Sequence, residues 1–193
     1  MKLWKQPGRE NTEDTSREAV SRMRDLEIED VVIASNTGYT VETFLKQKAE
    51  VWPEGKINIV AITHHVGFRN PGEDEMPAEM REWLEARGVN ILTTTHLFGN
   101  VERAITQKFG GLYPGGIISA TLRMFGEGTK VCLEIATTAL DAGLVAYGKE
   151  IVAVAGSGGG ADTALTLRPA HAKDFFDGEI LDVVCRPRGR KRR

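Results

Sequence analysis

Short apolar, β-rich runs alternate with longer segments of helical character along most of this chain, and that alternation limits the fold more than any other feature. The runs lie at 31–35, 57–62 (Ile57-Asn58-Ile59-Val60-Ala61-Ile62), 89–93 and 150–155, and helical segments near 39–50, 76–87 and 98–145 separate them. Strands that alternate with helices predict a parallel sheet covered on both faces. The chain opens with an extended Lys2-Leu3-Trp4 and a Pro7-Gly8 turn, and a helix is expected over about 14–26 behind Asn11-Thr12-Glu13-Asp14. Gly110-Gly111, Pro114-Gly115-Gly116 and Gly126-Glu127-Gly128 break the stretch 98–145 into two or three helices. Near the end, 162–167 and 180–185 are two further strand candidates with little helix between them, so an antiparallel edge is expected.

A chain of 193 residues, 41% hydrophobic and 27% charged, has material for one core, and a single domain over 1–186 is expected. The segment 187–193 reads as a basic, disordered tail. The last eight residues hold six of the 25 basic residues, leaving 19 against 27 acidic ones, a balance that does not favour nucleic acid as a partner. No run of about 18 apolar residues and no leader pattern is present, so no membrane association and a cytoplasmic location are expected. Cys132 and Cys185 lack metal or redox spacing and read as buried, reduced thiols.

Ligands of open parallel sheets sit beyond the carboxyl ends of the strands. There the first run delivers Ser35-Asn36-Thr37-Gly38-Tyr39-Thr40, a hydroxyl-rich loop that opens a helix, where unpaired N–H groups favour a phosphate. The next two runs deliver His64, His65, Gly67 and Phe68, and then Thr94-Thr95-His96. The fourth delivers Gly156, Gly158, Gly160, Ala161, Asp162 and Thr163, a flexible backbone able to form an anion nest. Although Gly156 to Ala161 formally satisfies G-x-G-x-x-A, a strand follows it instead of a helix, and the dinucleotide fingerprint is rejected.

Adjacent His64 and His65 diverge and have no accompanying metal motif, so one of them faces the site and neither is a metal ligand. His171 reads as a surface residue. Glu134 sits in an apolar helix and must meet a donor or keep a proton, with capping of a neighbouring loop as its expected task. No catalytic triad or nucleophile elbow can be assigned, so the residues speak for binding a small phosphorylated ligand. The residues do not fix the oligomeric state, and general prevalence alone makes a homodimer plausible.

Five stretches carry a family resemblance: Lys5 to Glu13, Ala34 to Thr40, His65-Val66-Gly67-Phe68, Lys130 to Ile135, and Gly160-Ala161-Asp162-Thr163-Ala164 leading to Arg168-Pro169-Ala170-His171. Through them the chain resembles stand-alone archaeal and bacterial proteins similar to the C-terminal domain of pyruvate kinase. The resemblance implies a three-layer αβα sandwich with a mostly parallel, Rossmann-like sheet. It also matches Ser35, Thr37, Gly38 and Thr40 to the loop that holds a sugar bisphosphate in many kinases. The loop after the fourth run has no Trp or Arg, which speaks against a bisphosphate held as in the kinase. Stand-alone relatives are associated with flavin mononucleotide (FMN), which places a phosphate in the Ser35 loop and a ring among His65, Phe68 and the glycine segment. Kinase activity is not expected, because the kinase's catalytic barrel alone takes about 250 residues. Two other roles fit the resemblance: a flavin-dependent oxidoreductase in which His65 or His96 tunes the ring, and a regulatory or interaction module that senses a sugar phosphate.

Overall fold

Strands buried on both faces need apolar side chains at nearly every position, and the runs 31–33, 59–62 and 151–155 meet that need. The computed structural model describes residues 1–99 and 101–189. Its strands are β1 (Lys2–Trp4), β2 (Asp30–Ala34), β3 (Asn58–Thr63), β4 (Val89–Thr93), β5 (Ile151–Ala155), β6 (Thr163–Arg168) and β7 (Glu179–Pro187). Its helices are α1 (Thr12–Leu26), α2 (Tyr39–Val51), α3 (Ala78–Glu85), α4 (Val101–Phe109), α5 (Pro114–Leu122) and α6 (Glu127–Asp141). The long segment 98–145 thus divides into three helices at its glycines, as expected.

The strands form one sheet in the order β1-β7-β6-β5-β2-β3-β4. β2 runs parallel to β3 and β5, β3 to β4, and β1 to β7. β6 alone is reversed, antiparallel to both β5 and β7, so the antiparallel pairing lies toward the β1-β7 side of the sheet. Register alternation sorts the core. Val31, Ile33, Ile59, Ala61, Val152 and Val154 pack with Val20 and Met23 of α1, Phe44 of α2 and Leu84 of α3. Val32, Val60, Ile62, Ile151, Ala153 and Ala155 pack with Cys132, Ile135, Ala139 and Leu140 of α6. A three-layer αβα sandwich results.

Both cysteines are buried free thiols, Cys132 on the α6 side and Cys185 in the opposite layer. Burial pushes the Cys132 thiol well up and that of Cys185 up to about 12, so both are protonated and unreactive. β7 reaches Pro187, opposite Trp4, and the Arg188 N–H donates to the Trp4 carbonyl at 2.9 Å. The tail expected at 187–193 therefore enters the sheet at its first residue, and 190–193 lie outside the described residues. Among the described residues no helix is long and apolar enough to cross a membrane.

Candidate functional site

The four parallel strands β2 to β5 end at the same edge, and the reversal of β6 returns its N-terminal end to that edge as well. There the loops enclose a cavity of about 550 Å³, within the range of small-molecule sites. Ser35, Asn36, Thr37 and Thr40 form one wall, His64, Phe68 and His96 a second, and Gly156, Gly158 and Gly160 a third. α6 closes the fourth side with Lys130, Val131, Glu134 and Ile135.

The Ser35 loop owes its shape to Gly38, which has φ 88° and sits where an added Cβ would lie 2.3 Å from Cγ of Met80. Both facts require glycine. Gly38 itself therefore faces α3 and not the cavity. It is the N-cap of α2 without a side-chain cap, so the first turn of that helix keeps free N–H groups beside the cavity. The Ser35 hydroxyl, on a residue only 3% exposed, has no hydrogen-bond partner among the described residues.

His64, and not His65, lines the cavity. Its Nδ1 lies 2.5 Å from Oε2 of Glu75, whose Oε1 takes Nε of Arg69 at 2.7 Å. Its Nε2 lies 3.1 Å from the Asn36 amide nitrogen. With the Asn36 amide nitrogen as donor to Nε2, the Nδ1 N–H is the hydrogen-bond donor to Glu75. The His64 ring also packs 3.8 Å from the Phe68 centroid, and Phe68 stacks on His96 at 5.1 Å and 29°. His65 is half-buried outside the cavity lining: its Nδ1 lies 2.8 Å from the Val66 carbonyl oxygen, and its ring meets Phe68 and His96 edge-on at 5.6 and 6.1 Å. Gly67 lies in the following turn, where its N–H donates to the Glu73 carbonyl.

Burial pushes His96 down to about 4, with His64, Lys130 and Arg103 acting in the same direction and Glu134 opposing them. An unfolded chain would protonate this histidine near 6.5, above the folded value. His96 should thus contribute to stability fully above pH 6.5 and lose that contribution as pH falls from 6.5 towards 4. Denaturation midpoints of the wild type and His96→Gln, compared across that interval, should show a shallower acid dependence in the variant; parallel profiles would refute the assignment.

Ala161, Asp162 and Thr163 stand behind the glycine wall. Asp162 is fully buried and accepts from the Gly8 N–H at 3.0 Å, the Ser157 N–H at 3.2 Å and the Thr163 hydroxyl at 2.8 Å. It braces the loop, and with all of these donors satisfied inside the fold it presents nothing to a ligand. Burial nonetheless raises its carboxyl, against the hydrogen bonds that lower it.

Glu134 meets the donor its burial demanded. The Phe98 N–H donates to its Oε1 at 3.1 Å, and the Lys130 ammonium pairs with its Oε2. It thereby caps the loop before α4, as the sequence led us to expect.

Several wall residues escaped the sequence reading: Arg9, Arg69, Arg103, Arg123, Lys130 and Glu75. They come from five separate segments and share no motif.

The sandwich places the protein among open α/β domains, and its cavity lies at the carboxyl edge of the sheet, where ligands of such sheets commonly sit. Residues 13–168 match the model of the pyruvate kinase alpha/beta domain. The chain belongs to that family. It is also similar to solved pyruvate kinases from Cryptosporidium parvum, one at 18% identity over 81% of this chain with TM-score 0.41. A second has 16% identity over 75% with TM-score 0.37, and a third, in complex with ADP, 19% over 80% with TM-score 0.38. The chain spans 22%, 20% and 22% of the length of those three.

Proposed function

We propose that this domain binds a phosphorylated small molecule in the carboxyl-edge cavity, and that the ligand is FMN. The observation that carries the reading is the Ser35 hydroxyl, buried on the cavity wall without a partner among the described residues and next to the uncapped start of α2. Such an orphan costs about 1–3 kcal/mol, and a phosphate oxygen would satisfy it together with the free N–H groups of the helix. Phe68 and His96 offer a stacked aromatic face, and Ile62, Val131 and Ile135 add apolar surface, as a flat heterocycle requires. A bound flavin would supply redox chemistry of its own.

The visible absorption spectrum of freshly purified protein, followed by mass analysis of whatever denaturant releases, tests the reading. Flavin bands with a released mass matching FMN support it. A colourless protein that also leaves the fluorescence of added FMN unquenched overturns the flavin, and titration with sugar phosphates then decides the phosphorylated class.

A further inference from the structure

We propose that Arg9 is the charge-reading residue of this cavity, the group that makes it select a phosphate monoester over the same molecule without its phosphate. The inference rests on the phosphate reading above and adds a residue from a part of the chain far from the hydroxyl loop.

Arg9 lies at the rim, between the Ser35 loop and the glycine wall. Its guanidinium carbon sits over the Tyr39 ring, 3.8 Å from the centroid, and Tyr39 is the first residue of α2, so the fork is held beside the free N–H groups of that helix. Among the described residues it has no carboxylate within ion-pair distance, whereas the cavity's Arg69, Arg123 and Lys130 are each matched to a glutamate. Arginine donates two parallel hydrogen bonds to phosphate, and a face stacked on an aromatic ring leaves those donors free at the edge.

The backbone beneath Arg9 is pinned with unusual care. Buried Asp162 takes the Gly8 N–H, the Trp4 indole donates to the Asp162 carbonyl at 2.8 Å, and Thr12 Oγ1 donates to the Arg9 carbonyl at 2.6 Å. The same Thr12 oxygen accepts the Ala161 N–H at 3.0 Å. At Gly160 an added Cβ would stand 2.9 Å from the Arg9 Cα, so the N-terminal segment lies directly against the glycine loop. The same bonds satisfy buried Asp162, Thr12 and the Trp4 indole, and for the exposed Arg9 side chain their effect is to fix one cation at the mouth of the cavity.

Fluorescence titrations of the full chain with FMN and with riboflavin test this. Arg9→Gln should weaken FMN binding roughly tenfold or more, flatten its salt dependence and leave riboflavin unchanged, with Arg9→Lys intermediate and Tyr39→Phe close to wild type. Equal losses for both ligands, or none for FMN, overturn the proposal while leaving the cavity reading intact. Inorganic phosphate followed by ³¹P line broadening gives a reading independent of flavin. Broadening by the wild type that Arg9→Gln abolishes supports the proposal even if FMN fails to bind, and a wild type that binds neither probe overturns both readings.

Discussion

Replacing Glu134 by leucine should lower the free energy of unfolding by roughly 3–5 kcal/mol, the loss expected when one member of a buried ion pair is removed. Lys130 and Glu134 lie one turn apart on α6, with side chains 7% and 5% exposed. Desolvation lowers the Lys130 amine, and Glu134 opposes it by charge and hydrogen bond. Without its carboxylate the ammonium must shed its proton or draw water into the cavity wall. The pair Lys130→Met with Glu134→Leu should recover most of the loss, because two apolar side chains need no solvation. Full recovery is not expected: the Phe98 N–H also bonds Glu134, and orphaning it costs about 1–3 kcal/mol. Urea denaturation of the three proteins decides the matter. A single-variant loss below about 1 kcal/mol would mean that the pair behaves like a solvated surface bridge.

Thr37→Val combined with Thr40→Val should weaken FMN binding by more than tenfold, about 1.4 kcal/mol, without moving the melting temperature by a comparable amount. Neither hydroxyl caps α2, so the helix does not depend on them. Each would donate to the phosphate, and hydrogen bonds to a charged group contribute about 1.5–3 kcal/mol apiece, which makes tenfold a lower bound. Isothermal titration of the double variant gives the answer, and unchanged affinity would remove the phosphate from this loop.

The layers were legible in the sequence because Val31 to Ile33, Ile59 to Ile62 and Ile151 to Ala155 are apolar on both faces, as a doubly covered sheet requires, and alternate with helical segments. The breaks at Gly110, Gly111 and Gly126 were legible for a local reason, since all three take positive φ. The hydroxyl loop could be placed from its position after a strand. What could not be read was orientation. Adjacent histidines give no sign of which will line the cavity, and here the Glu75 partner on a later loop holds His64 on its wall while His65 packs edge-on against Phe68 and His96. Nor does the glycine segment reveal that Asp162 behind it will turn inward to brace the backbone. The cations are the clearest case: Arg9, Arg103, Arg123 and Lys130 converge only through tertiary structure.

The pairing of β1 with β7 joins Lys2 to Cys185, across nearly the whole length of the chain, while β5, β6 and β7 follow one another closely in sequence. Contacts between distant residues carry the largest loop-closure cost and form slowly. β1 has a single strand neighbour, β7, so the first dozen residues can dock only after β7 is in place, whereas β2, β3 and β5 pair without them. The Trp4 indole and the Gly8 N–H find their shared partner, Asp162, only once β6 and β7 give β1 a place to dock. Completion of the cavity mouth is thus expected as a late, separate phase of refolding, and recovery of ligand affinity should lag behind recovery of secondary structure.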